Sequence, residues 1–321
     1  MNRTDFQERV PELHRGPRPR LRLPEHCRSA APTTEAVREL ERALRRSDLS
    51  TVCEEARCPN RTRCFAAGTA TFMLLGDTCT RTCRFCNVAT GRPGPVDPDE
   101  PERVARAVHA MGLRHAVLTS VNRDDLPADD LGSRQFERAI GAIRSRAPGT
   151  TVEVLTPDFQ GETAPIDRVT EAAPDVYNHN VETVPRLYAS VRPGARYDRS
   201  LRLLERVRRR SAQMWTKSGV MLGLGEDLSE VSTVLRDLRQ VGVDCVTLGQ
   251  YLRPTLRHLE VARYLEPQEF EALADEARAL GFAHVAAGSL VRSSFHAEEA
   301  FDLLRSRRGQ RVGPHVGQSK E

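Results

Sequence analysis

The chain has 321 residues, 39% of them hydrophobic and 29% charged, and a net charge of +4. These values exclude a disordered chain and a small scaffold that needs disulfides merely to fold, and so weak a charge does not argue for a nucleic-acid partner. No run approaches the roughly 18 apolar residues that span a bilayer, and the first residues show neither the apolar stretch nor the cleavage site of a secretory signal. A cytoplasmic location with no membrane contact is therefore expected, with the eight cysteines kept reduced.

In chain order, an Arg- and Pro-rich arm leads into a predicted helix over Thr33–Ser47. Short β-branched runs bounded by turn residues then predict six strands. They are Thr69–Leu75, His115–Val121, Thr151–Pro157, Asp175–Glu182, Lys217–Leu224 and Asp244–Leu252. Helical periodicity fills the intervals over Pro101–Gly112, Arg134–Arg146, Tyr197–Arg210 and Leu228–Gly242, and again over Pro267–Gly281. Several of these helices end at Gly, the usual stop signal. Alternating strands and helices predict an α/β fold with a parallel sheet. Six units suit a partial barrel, a (β/α)6 TIM-like arrangement, with an open doubly wound sheet as the alternative. In a barrel the chemistry lies at the strand C-termini.

The most unusual residues fall there. After the first strand comes GDTCTRTCRFCNV, in which Cys79, Cys83 and Cys86 form CxxxCxxC with Phe85 before the last cysteine. Three closely spaced thiols suit a soft metal centre. A structural zinc wants a fourth ligand, and none follows nearby. A four-iron cluster commonly takes four cysteines, so three would leave one iron open. Upstream, TVCEEARCPNRTRCF sets Cys53, Cys58 and Cys64 in a wider CxxxxCxxxxxC pattern. That spacing suits a second cluster also short of one ligand, or an extension of a single shared site. Cys245 lies in an apolar strand as a core residue, and Cys27 in the arm has no assigned role.

The loop of Cys79, Cys83 and Cys86 resembles the signature of the radical S-adenosylmethionine (SAM) superfamily. The second cysteine set narrows the resemblance to the lipoyl synthases. It continues through Thr119–Leu126, Glu153–Gly161, Asn178–Tyr197, Thr216–Glu226, Thr247–Leu259 and Val291–Glu298. The resemblance implies a partial barrel (67–285) between an N-terminal region with the auxiliary cysteines (1–66) and a C-terminal extension (286–321). It implies two 4Fe–4S clusters. One, on Cys79, Cys83 and Cys86, binds SAM, whose reductive cleavage gives a hydrogen-abstracting 5′-deoxyadenosyl radical. The other, on Cys53, Cys58, Cys64 and Ser294, is the sulfur source for carbons six and eight of an octanoyl chain.

That chain would be carried on a lysine of a 2-oxoacid dehydrogenase E2 lipoyl domain or of the glycine-cleavage H protein. Ferredoxin or flavodoxin would supply electrons. The resemblance also points to Phe85, Asn180, Glu182, Lys217 and Arg292 as cofactor contacts. Read alone, Ser293–Ser294 would cap a helix, His179 would be ligand-facing or structural, and Asp124–Asp125 would position a ligand or cap a loop. Lys217, one of two lysines among 48 basic residues, suggests a specific carboxylate contact. Gly223, Gly225 and Glu226 form a turn that a ligand could approach closely. The sequence departs from the family pattern at Phe295, at Asn122 and in LPADDLGS after Asp125. The rival readings are another sulfur-inserting radical SAM enzyme, of the biotin-synthase or methylthiotransferase kind, and a zinc-stabilised nucleic-acid-binding protein.

Overall fold

The computed structural model describes residues 21–28, 35, 38, 42, 49–51, 58, 60–66 and 68–294. Its strands are β1 (Ser50–Thr51), β2 (Thr69–Leu74), β3 (Thr78–Cys79), β4 (Ala89–Thr90), β5 (His115–Ser120), β6 (Thr151–Leu155), β7 (Val176–Asn178), β8 (Trp215–Leu222), β9 (Cys245–Gln250) and β10 (His284–Gly288). Eight of them form one sheet in the order β1-β2-β5-β6-β7-β8-β9-β10, and β3 pairs with β4 apart from it. β1 runs antiparallel to β2. Every later neighbour in the sheet is parallel, as where Met73 faces Thr119 and Lys217 faces Cys245.

This order decides between barrel and doubly wound sheet. A doubly wound sheet reverses its strand order at a switch point and puts helices on both faces. Here the spatial order follows the chain without reversal, so right-handed crossovers place the helices that connect the parallel strands on one face. The sheet winds as a barrel does, and among the described residues β1 and β10 do not pair, so it stays open.

The helices are α1 (Arg61–Ala66), α2 (Glu100–Ala110), α3 (Ser133–Arg146), α4 (Thr163–Glu171), α5 (Tyr188–Val191), α6 (Tyr197–Arg210), α7 (Leu228–Gln240) and α8 (Pro267–Ala279). The long ones bury one stripe at i, i+3, i+4 and i+7. In α3 it is Phe136, Ala139, Ile140 and Ile143; in α7 it is Val231, Val234, Leu235 and Leu238. Each fully buried aliphatic side chain contributes roughly 1.5–3 kcal/mol, so these stripes fix how the helices lie on the sheet. Asp227 with Glu230, and Glu266 with Glu269, close capping boxes at the starts of α7 and α8. Each box satisfies backbone N–H groups that a first turn leaves unpaired.

The structure differs from the sequence reading in both its strands and its helices. The sheet has a seventh parallel strand, β10, where six were expected, and the short strands β1, β3 and β4 were not expected either. The β10 sequence HVAAG is short and only partly buried along its length, so it carries no alternation, yet five residue pairs bind it to β9. Helices α1, α4 and α5 were also not expected; α4 opens with Pro165 in its first turn, which blurs its periodicity. Of the predicted helix Thr33–Ser47 only Glu35, Arg38 and Arg42 are described, and all three are helical.

Candidate active site at the C-terminal mouth of the barrel

The loops after β2, β5, β6, β7, β8 and β10 all open at the same end of the sheet, because parallel strands share one C-terminal face. The loop after β2 carries Cys79, Cys83 and Cys86. β3 and β4 pair in register, Cys79 with Thr90, and cinch the base of this loop. Its outer part is tied to three neighbours. Thr80 N–H donates to the Asn122 carbonyl (3.1 Å), Arg84 N–H to Val191 (2.9 Å), and Leu259 N–H to Arg84 (3.1 Å). His258 Nε2 lies 3.0 Å from the Cys86 carbonyl oxygen.

A buried arginine, unremarked in the sequence, anchors the same loop. Arg81 grips Asp124 through Nε (2.6 Å) and a terminal nitrogen (2.8 Å) and reaches Asp158 at 2.7 Å. Asp158 also meets Arg199 at 3.1 Å. Burial works against the Asp158 charge, but Arg81 outweighs it and holds the carboxyl at about 2. Asp124 thus positions the loop, while Asp125 pairs with its neighbour Arg123. A fork of fixed donors suits such bidentate pairs, and the TRT tripeptide between Cys79 and Cys83 was the available signal.

The donor set suits a cubane cluster. The Cys79 sulfur accepts N–H bonds from Arg81 (3.4 Å) and Asn122 (3.3 Å), which favour a metal-held thiolate. Burial pushes Cys83 up to about 12 and Cys86 to about 11, so neither ionises by ordinary titration, whereas a bound metal would displace the proton. Among the described residues no three of His, Cys, Asp and Glu gather closely enough to hold a single ion. A cubane puts each thiolate on a different iron, which matches thiols spread around one loop.

Facing this loop is the turn after β7. Glu182 adopts φ +66° and makes a lone parallel bridge to Val220, which turns the segment across the barrel mouth. Burial raises its carboxyl, and its charge is felt at both Cys83 and Cys86. Asn180 Nδ2 donates to Glu182 Oε1 at 3.1 Å. Arg192, buried beneath, donates to the Asn180 and Val181 carbonyls (2.8 and 3.2 Å) and sits 5.3 Å above the Tyr188 ring. Its charge is also felt at Cys83. Sequence reasoning passed over Arg192, since one arginine among 46 gives no signal.

His179 is structural. Nδ1–H donates to the Thr156 carbonyl (2.9 Å), so Nε2 accepts from the Ser200 hydroxyl (2.9 Å). Lys217 is buried and holds both oxygens of buried Glu153 at 3.0 and 3.1 Å; the carboxylate that its rarity suggested is the protein's own. Glu153, despite burial, is held at about 2 by Lys217 and His115. Phe85 packs, half-buried, against the core. Glu226 caps Gly223 N–H (2.5 Å) and Leu224 N–H (2.9 Å), so the glycine turn is locked by its own carboxylate.

After β10 the chain folds back over this mouth. An added Cβ at Gly249 would lie 2.2 Å from the Val291 carbonyl oxygen, so β9 and this segment touch through backbone. Ser293 Oγ donates to Asn180 Oδ1 (2.9 Å) and accepts from Asn178 Nδ2 (2.6 Å). Ser294 follows, half-buried. The N-terminal region meets the same segment. Asn60 donates to the Leu290 carbonyl, Ser289 donates to the His26 carbonyl, and His26 Nε2 lies 3.0 Å from the Leu265 oxygen. Arg292 is half-buried; burial lowers its pKa, opposed by Cys58 and Cys27, so both thiols lie within its electrostatic reach. Cys64 sits on α1. Cys53 and Phe295 lie outside the described residues.

Comparison with known proteins identifies the family. Residues 73–238 match the radical SAM superfamily, and residues 1–58 match the N-terminal domain of lipoyl synthase of that family. The chain is 54% identical over 283 residues to lipoyl synthase from Nitrosococcus oceani, covering 87% of this chain and 86% of the relative. It is 52% identical over 280 residues to that from Thioalkalivibrio sulfidiphilus, covering 87% of each. Among solved structures, HydG, a maturase of the FeFe-hydrogenase, superposes with a TM-score of 0.52 at 12% identity over 87% of this chain and 84% of its own. Streptococcus suis SuiB bound to precursor peptide SuiA gives 0.53 at 11% identity over 82% and 54%. These two distant likenesses speak for the fold alone. The chain belongs to the lipoyl synthase family of the radical SAM superfamily.

Proposed function

We propose that this chain inserts two sulfur atoms, at carbons six and eight, into an octanoyl chain held on a lysine of a carrier protein. Cys79, Cys83 and Cys86 hold the cluster at which SAM binds, with Asn180 and Glu182 beside it. Cys53, Cys58, Cys64 and Ser294 hold a second 4Fe–4S cluster, which is consumed as the sulfur-donating substrate. Bound SAM and its cluster supply the hydrogen-abstracting chemistry. The protein's own part is to orient and enclose. Arg81 and Asp124 fix the cluster loop, Arg192 braces the turn of Asn180 and Glu182, and the barrel mouth keeps water from the reacting chain. A serine oxygen is a hard donor beside thiolates, which suits a cluster that must be taken apart. The N-terminal region (1–66) and the C-terminal extension (286–321) act as the two halves that enclose this donor over the barrel (67–285).

The observation that supports this reading is a chain of contacts at one barrel end. Glu182, whose charge is felt at Cys83 and Cys86, is bonded through Asn180 to Ser293, the residue before Ser294. The carriers would be octanoylated E2 lipoyl domains or the glycine-cleavage H protein, and the electrons would come from ferredoxin or flavodoxin in the cytoplasm. Among the described residues no helix is long and apolar enough to cross a membrane.

The test is an anaerobic reaction of reconstituted protein with reductant, SAM and an octanoyl-lysine carrier peptide, followed by mass spectrometry. A two-sulfur mass gain with loss of cluster iron is the expected result. 5′-Deoxyadenosine without sulfur on the peptide would send the activity to another substrate. Cys58→Ala or Cys64→Ala is expected to keep SAM cleavage and abolish sulfur insertion, whereas Cys83→Ala stops both. Lipoyl product from either of the first two would remove the second cluster as donor.

A further inference from the structure

The Ser293 hydroxyl joins a largely buried chain of polar contacts whose direction is forced. Asn178 Nδ2 donates to Glu153 Oε1 (2.9 Å) and to Ser293 Oγ (2.6 Å). An amide nitrogen can only donate, so Ser293 accepts there and spends its single proton on Asn180 Oδ1 (2.9 Å). That fixes the Asn180 amide with its oxygen toward Ser293 and its nitrogen toward Glu182 Oε1 (3.1 Å). At the other end Lys217 clamps Glu153 by both oxygens. Asn178 is fully buried and Asn180 9% exposed, so neither readily exchanges these partners for water.

We propose that Ser293 is a positioning residue that latches the C-terminal segment onto the barrel mouth, and that occupancy of the cofactor site beside Asn180 and Glu182 works this latch. The coupling is geometric. Oδ1 and Nδ2 of Asn180 belong to one rigid planar amide, so a ligand that engages Glu182 and turns the amide also moves the acceptor of Ser293. The next residue is Ser294, so the hold on Ser293 sets the place of the proposed oxygen ligand. The latch stands on the geometry alone. The coupling also rests on the proposed SAM site.

Hydrogen exchange of the full-length, cluster-loaded protein tests both parts, with SAM added in the absence of reductant so that no turnover occurs. Without SAM, Ser293→Ala is expected to speed exchange in residues 288–294 about tenfold or more, the effect of losing a net hydrogen bond or two. Peptides from β6 and β8 should stay unchanged, and Ser293→Thr, which keeps the hydroxyl, should restore the wild-type rate. Unchanged exchange in Ser293→Ala, or failure of Ser293→Thr to restore it, overturns the latch. With SAM, exchange in 288–294 should rise in the wild type and not rise further in Ser293→Ala. Equilibrium dialysis with labelled SAM runs alongside. SAM that binds without altering 288–294 overturns the coupling alone. SAM that does not bind overturns the coupling together with the proposed cofactor site, and leaves the latch to be judged by the first arm.

Discussion

At the scale of single residues, His179 sets an acid limit on the fold. Burial holds it neutral, with its pKa lowered from 6.5 to about 4. The unfolded chain takes up a proton near 6.5 and the folded chain only near 4, so stability falls as pH drops through that window. The loss is on the order of 3 kcal/mol in all. Urea unfolding between pH 4 and 7 should show this slope, and His179→Gln should flatten it whatever its own cost in stability. Asp158 and Glu153 are both held at about 2, so their stabilisation is present above about 4 and is lost between there and 2. The two cysteine sets could be picked out as candidates in the sequence because each is local and its spacing is visible. Partners distant in sequence could not: Lys217 finds Glu153 across 64 positions, and Asn178 finds Ser293 across 115. The roles of Arg81 and Arg192 were hidden for a different reason. In a chain whose cations are nearly all arginine, a buried one looks like the rest until its carboxylate or carbonyl partners are seen.

At the scale of elements, the sheet was readable wherever a strand carried β-branched residues and an adjoining helix carried an apolar stripe. It failed at β10, where Val285 is the one residue of high β-propensity among five and pairing with the edge of β9 makes the strand. That edge matters beyond the count of strands. β9 brings Gly249 against the backbone of Val291, and an added Cβ there would lie 2.2 Å from its carbonyl oxygen. Gly249→Ala must therefore push the returning segment away while leaving the hydrophobic stripes of α7 and α8 in place. The expected outcome is near-normal SAM cleavage with sulfur insertion reduced at least tenfold, since a displacement of about an ångström at a catalytic site costs that much or more. Assay of 5′-deoxyadenosine and of lipoyl product in one sample checks it. Equal loss of both products would place the effect in the barrel instead.

At the scale of the whole molecule, described residues from the early part of the chain meet the segment that follows β10. His26 meets Leu265 across 239 positions and Ser289 meets His26 across 263. Stopping the chain after Gly288 removes the second of these contacts and the hold on Ser293. Such a protein is expected to keep the parallel sheet and SAM cleavage but to give no lipoyl product, measured in the same paired assay. Failure to cleave SAM would show that the barrel is not separable from that segment. The pinning of the early arm to the late segment also has a consequence on the ribosome. The cysteines of the cluster loop emerge with their strand and can meet iron while the polypeptide is still growing. The thiols proposed for the auxiliary cluster emerge earlier, yet Asn60 among them waits some 230 residues for its partner Leu290. At translation rates of about 5–20 residues per second that wait is on the order of ten seconds or longer. On the proposed assignment of the sulfur-donating site, a nascent chain exposes that site longest, and iron delivery to it is expected only after release, when Ser294 has emerged.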